Sequence, residues 1–261
     1  MTGMTTSAAL HTFAQRLCMD RGRMWSDTYS RPNRPKTPPP EAIFPRYLVL
    51  DAILVAVQEI DSDRLPVAPE LAALLRDAGG SAEDDFTRNL AGNPVAMGAM
   101  AEERAFFVQA IEQAFASGLG EQEPLPYCRT LGAAELDGIR SRLQAAWGVR
   151  EPPWIPMTRY EHEPPPTLVW FALDSLDEAR KQQLQEDFQA FCLARGVERL
   201  YLLTEDGPHF QVAAAEARLD GLYEAFLVPD SMEWIAYGSH HSTVTLAGPV
   251  AEIAPRASPA T

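Results

Sequence analysis

The residues best suited to chemistry lie in one stretch, EWIAYGSHHSTVTLAG at 233–248. His240 and His241 stand side by side among Ser239, Ser242 and Thr243, close behind Trp234 and Tyr237. An imidazole titrates near neutral pH and serves as a general base, a metal ligand or a hydrogen-bonding contact. The first two roles demand company. A base needs a nucleophile or carboxylate within reach, and zinc needs three or four ligands. His11, His162 and His209 are scattered, and the adjacent pair points to opposite faces if it lies in a strand. No metal is therefore expected. Glu205, Asp206, Glu224 and Glu233 stand near predicted strand ends, within range of a hairpin. The chain has no GxxxxGK[ST] loop, no GxGxxG, no GxSxG elbow and no HExxH, so no cofactor is expected either.

Gly238 and the Ser-His-His-Ser tetrad suit a loop of about four residues joining 233–238 to 243–248. In that setting His240 and His241 are turn residues, neither base nor ligand. Trp234 and Tyr237, three apart in one strand, face opposite sides, which leaves one of them open to a partner. The candidate partner-binding set is Trp234, Tyr237, His240, His241, Glu205 and Glu224.

The elements that must hold these residues change character along the chain. RPNRPKTPPP, at 31–40, has five prolines and favours an extended linker. It cuts off a short segment with a helix expected over Ala8–Met19, and residues 1–40 are read as a basic, Pro-rich, loosely anchored arm. Ile43, Tyr47, Leu50, Leu54 and Val57 recur at helical spacing. A second helix is predicted over 66–78 with Leu71, Leu74 and Leu75 on one face. A third runs over Met100–Ser117 with Phe107, Ile111, Ala114 and Phe115 forming a stripe. A fourth, Ala133–Trp147, has Leu136, Ile139, Leu143 and Trp147 on one face.

After REPPWIP (150–156) the pattern shortens. TLVWFAL (167–173) is strand-like, Ser175 with Glu178 matches a capping box, Leu184, Phe188 and Phe191 line a helix, and RLYLLTE (199–205) is the next strand. Strand, helix and strand in that order predict a right-handed βαβ unit. HFQVA, YEAFLV, EWIAYG and TVTLAG follow with no room for helices. The fold class expected is α+β: a helical N-terminal half, then a small mixed sheet with a βαβ unit and a C-terminal hairpin. The divisions expected are 1–40, a helical region 41–150 and an α+β region 151–255.

Charge bounds the partners. Residues 1–40 carry six basic and two acidic side chains, whereas 41–261 carry 16 basic and 34 acidic, for −14 overall. Such a body repels phosphate backbones and anionic membranes, and suits a protein with a basic surface. The longest apolar run, YLVLDAILVAV (47–57), is too short to cross a bilayer and contains Asp51. The N-terminal residues lack a basic start followed by an apolar core. Cys18, Cys128 and Cys192 are odd in number and far apart, which fits a reducing compartment, so the cytoplasm is expected.

An ordered set of segments carries a resemblance. PYCRTLGAAELDGIRSRLQAAWGV (126–149), WIPM (154–157), LYLLTEDG (200–207), YEAFLVP (223–229) and the 233–248 stretch together resemble a group of stand-alone bacterial proteins, some of them immunity proteins that neutralise toxins. Those proteins have Trp-Tyr-Pro-Leu where this chain has WIPM. Their closing motif has Ser-His-Glu where this chain has Ser239-His240-His241, a departure that weakens an acid–base role for the pair. The resemblance spans about half the chain and implies a non-enzymatic immunity-type protein that binds another protein, a basic toxin domain. Two rival expectations stand beside it: a cytoplasmic hydrolase-like enzyme using His240 with a strand-end carboxylate, and a structural or regulatory domain.

Overall fold

The computed structural model describes residues 6–30, 38–149 and 168–255, so Arg31–Thr37 of the proline-rich run and REPPWIP (150–156) lie outside the described residues. The chain divides into two compact units, Met1–Leu125 and Pro126–Thr261.

The first unit is helical: α1 (Ser7–Ser30), α2 (Pro40–Gln58), α3 (Ala68–Ser81), α4 (Asp85–Asn89) and α5 (Pro94–Ser117). Prolines in the first turn open α2, α3 and α5, where a missing N–H costs nothing. Asp84 and Thr87 cap α4 reciprocally, and the Asn93 carbonyl oxygen Oδ1 accepts from the amides of Val95 and Ala96 at the start of α5. Leu71 with Leu75, and Phe107 with Ile111 and Ala114, fill the core as their spacing predicts. Leu74 and Phe115 do not. They stand 48% and 38% exposed, one step around the helix from seams that are already filled.

The N-terminal arm is corrected. Residues 7–30 form a helix of 24 residues, and Leu10, Ala14 and Cys18, four apart, are buried with Val49, Ile53 and Leu71. Their shared stripe anchors α1 by ordinary apolar burial. The prolines that suggested a loose arm come only after the helix has ended.

Three helices of this unit are also tied by one buried carboxylate. Glu103 of α5 is 1% exposed and accepts from Arg21 Nε (2.7 Å) and Nη2 (2.9 Å), Trp25 Nε1 (3.1 Å) and Arg46 Nη1 (3.0 Å). Arg21 lies over the Phe106 ring at 3.7 Å, and Arg46 also bonds Glu102. A carboxylate taken out of water survives only with such a full set of donors.

The second unit is a seven-stranded sheet with helices on its faces. Its strands are β1 (Cys128–Thr130), β2 (Leu168–Ala172), β3 (Arg199–Thr204), β4 (Phe210–Ala213), β5 (Ala225–Pro229), β6 (Ile235–Gly238) and β7 (Thr243–Ala247). Its helices are α6 (Ala133–Trp147) and α7 (Glu178–Ala194). The α+β class and the β6–β7 hairpin are as expected, with Ile235 opposite Ala247 and Gly238 opposite Val244. The mixed sheet is corrected. The order is β1-β4-β3-β5-β6-β7-β2 and every pair is antiparallel. β2 and β3, joined through α7, run the same way but are separated by three strands. The short connections after β3, β5 and β6 force antiparallel neighbours, and these occupy the space between the two. The boundary also moves: β1 and α6 lie before residue 150, yet belong to the second unit. The cap of α7 is Asp177, which accepts from the Arg180 amide, while Ser175 Oγ donates to the Ala172 carbonyl.

Both faces of the sheet are covered. Leu200, Leu227, Trp234, Ala236, Val244 and Leu246 pack with Leu184, Phe188 and Phe191 of α7. Tyr201, Leu203, Phe226, Val228, Ile235 and Tyr237 pack with Leu136, Ile139 and Leu143 of α6. Strands buried on two sides read as continuous apolar runs, and AFLVP and IAYG are such runs.

His11 is buried and its Nε2 donates to the Val57 carbonyl oxygen at 3.0 Å, with burial holding its pKa below the usual 6.5. The unfolded chain takes up this proton near pH 6.5 and the folded chain only at lower pH. The stability is therefore full above about pH 6.5 and is lost as pH falls through the folded value. His209, lowered by burial and by Arg140, acts in the same sense. Urea unfolding should show stability falling from pH 7 to pH 5, and His11→Gln should flatten that slope. An unchanged slope in the variant would contradict a neutral buried His11.

Candidate functional site

β6 delivers its residues to opposite layers, as the two-residue period requires, and then turns at the hairpin. Trp234, just before the strand, is 1% exposed and meets Phe188 and Phe191 edge-on at 5.8 and 5.6 Å. Tyr237 is 4% exposed on the other face, beside Phe226. Opposite faces hold, but an exposed ring does not, because helices cover both sides. Trp234 is therefore corrected from a partner contact to a core residue.

The other five predicted residues come together at one end of the sheet. Thr204 stands opposite Ala225, Ala225 opposite Gly238, and Gly238 opposite Val244. The residues just beyond these positions meet in space. The Glu205 amide donates to the Glu224 carbonyl at 2.7 Å, continuing the β3–β5 ladder. The Tyr237 hydroxyl donates to Glu205 Oε1. Burial, that hydrogen bond and the charges of Glu205 and Glu224 raise the phenol's pKa, so it remains a donor. His240 Nδ1 lies 2.6 Å from Glu224 Oε1, and the His240 and His241 ring centres are 3.8 Å apart.

The hairpin loop is Ser239–Ser242. The Ser239 amide donates to the Thr243 carbonyl (3.0 Å), Ser239 Oγ contacts Thr243 Oγ1 (2.7 Å) and also accepts from the His241 amide (3.1 Å). The Ser242 carbonyl accepts from the Leu173 amide at 2.8 Å, pinning the far side. Gly238 is required by close approach: a Cβ there would stand 2.5 Å from the Leu222 carbonyl oxygen. Glu224 is held at φ +46°, in the left-handed region that an L-residue adopts at a cost.

Chemically this is a histidine–carboxylate pair on an open surface. The His240 side chain is 45% exposed, and its Nε2 has no protein partner among the described residues. The Ser239 hydroxyl is committed to Thr243 and His241. Among the described residues, no group of three or more His, Cys, Asp or Glu is placed to hold a metal ion. Asp206, beside Glu205, is exposed, whereas Glu233 lies at the opposite end of β6. Sequence reasoning missed the neighbouring cleft, an open hollow of about 290 Å3 between the hairpin, the start of α7 and the 220–223 loop. Asp174, Lys181, Asp220, Tyr223, Ser239 and Ser242 are among its walls. The one signal in the sequence was Lys181, one of only two lysines.

Comparison with protein-family models, with curated proteins and with solved structures finds no match to this chain. No helix among the described residues is long and apolar enough to cross a membrane.

The strain at Glu224 has a measurable consequence. Glu224→Gly and Glu224→Ala both remove the His240 partner, but only glycine relaxes at positive φ. The glycine variant should be the more stable of the two by about 1 kcal/mol in urea unfolding. Equal stabilities would mean that the backbone there is unstrained.

Proposed function

We propose that this chain is a non-enzymatic, immunity-type bacterial protein that binds and neutralises a toxin protein, working in the cytoplasm and docking a basic face of that toxin on the hairpin end of its sheet. One observation supports this most. At that end Asp174, Glu205, Asp206, Asp220 and Glu224 surround an exposed hairpin, in a chain of net charge −14. A surface on which acids predominate over Lys181 and Arg218 steers a basic partner and disfavours acidic ones. Because both faces of the sheet are covered, its end and loops are the parts of this unit that support a recognition role, and the hairpin there is already hydrogen-bonded to Leu173 and Thr243. Such preorganisation reduces the ordering cost of binding.

A second reading is favoured by one distance. The 2.6 Å contact between His240 Nδ1 and Glu224 resembles the way a carboxylate orients a general base in a hydrolase-like enzyme. The open surroundings of His240 favour the binding role.

Co-expression with a toxic polypeptide encoded beside this gene separates the two. The expected result is restored growth and a purified one-to-one complex. Its affinity should fall as salt rises from about 0.1 M to about 1 M, which shortens the screening length from about 10 to about 3 Å. Failure to restore growth contradicts neutralisation. Ester or amide hydrolysis that disappears in His240→Ala moves the enzyme reading ahead.

A further inference from the structure

The cleft beside the hairpin differs from the rest of the acidic sheet end in having walls. Tyr223 stands 68% exposed at its edge. Asp174 makes no hydrogen bond or ion pair among the described residues, although its charge acts on Lys181, whereas Asp220 is held by Arg218 at 2.7 Å and Glu178 by Lys181 at 2.9 Å. We propose that this cleft seats an arginine side chain of the protein partner, its guanidinium meeting Asp174 and the Ser242 hydroxyl while its plane lies on Tyr223. The inference rests on the reading of the chain as a protein that binds a basic partner, and it specifies how one side chain of that partner is held.

Three features argue for this occupant. The volume suits one long side chain and is too small and open for an enclosed cofactor. The carboxylates of the lining outnumber the cations, with Asp174, Glu178 and Asp220 against Lys181. The chain's own ammonium already senses that field: Glu178, then Asp174 and Asp220, favour the charged form of Lys181. Arginine fits better than lysine, because its planar fork bonds several acceptors at once and stacks on an aromatic ring. Lys181 is then a competitor for the seat, which gives the proposal an unusual sign.

The test uses the full chain and two blocked peptides, acetyl-Gly-Arg-Gly-amide and its citrulline counterpart, followed by NMR titration. Arginine should shift the resonances of Tyr223, Ser239 and Ser242 saturably, and neutral citrulline should not. Lys181→Gln should tighten arginine binding about threefold and Asp174→Asn should weaken it about threefold, the range of one exposed charge pair. Equal binding of citrulline, shifts that map elsewhere, or weaker binding in Lys181→Gln overturns the proposal. If arginine binds as expected but no toxin is neutralised, the functional reading fails and the cleft stands. If a toxin is bound equally well by Lys181→Gln and Asp174→Asn, the cleft's role fails and neutralisation stands.

Discussion

Burial of β6 on both faces is the constraint from which the candidate site follows. Ile235, Ala236, Tyr237 and Gly238 are all buried, flanked by β5 and β7 and covered by α7 on one side and α6 on the other. Such a strand cannot shift register by one residue without carrying Ile235 and Tyr237 into the layer that holds Trp234 and Ala236. Gly238, pressed against Leu222, fixes where the strand must end. The position of the hairpin is thereby fixed by the strand register, and Glu205 and Glu224 are brought to it by the same ladder. Even the buried Trp234 pays toward this: its indole N–H has no acceptor among the described residues, a loss of about 1–3 kcal/mol set against a large area of ring contact.

Carboxylates play two opposite parts in the two units. Glu103 is buried, saturated by Arg21, Arg46 and Trp25, and has no capacity left for a ligand. Its role is to hold α1, α2 and α5 together. At the hairpin end the acids are partly exposed, and Glu205, Asp220 and Glu224 each have one side-chain partner. Glu224, on a strained backbone, contacts an exposed histidine, and Asp174 makes no hydrogen bond or ion pair among the described residues. Strain and unspent charge at one surface, with saturation elsewhere, are the pattern expected of a site that keeps part of its interaction energy for a partner.

The α+β class was legible because its signals are local. Helical stripes such as Leu136, Ile139 and Leu143, stop signals such as Gly196 at positive φ, and the Gly-Ser-His-His-Ser turn all act within a few residues. The gathering of Tyr237, Glu205, Glu224, His240 and His241 was legible for a related reason, since ends of antiparallel neighbours must coincide. Strand order was not legible. TLVWFAL, helix and RLYLLTE satisfy a βαβ unit, and only pairing preferences summed over four later strands place β5, β6 and β7 between them. The exposure of Trp234 was misjudged because alternation shows which face a residue takes but not whether a helix covers it. The arm at 7–30 was misjudged because a following proline run says nothing about what Leu10, Ala14 and Cys18 pack against. The cleft is built from the hairpin, the start of α7 and the 220–223 loop, a juxtaposition no local pattern encodes.

The hairpin end is a platform hung on a doubly buried strand and is already formed in the free protein. Native-state hydrogen exchange of the β6 amides tests this most directly. Ala236 and Tyr237 should exchange only through the global unfolding of the sheet unit, with an opening free energy equal to that from urea denaturation. Exchange of these amides through local openings several kcal/mol cheaper than global unfolding would show a mobile hairpin strand, and the preorganised site would fall with it.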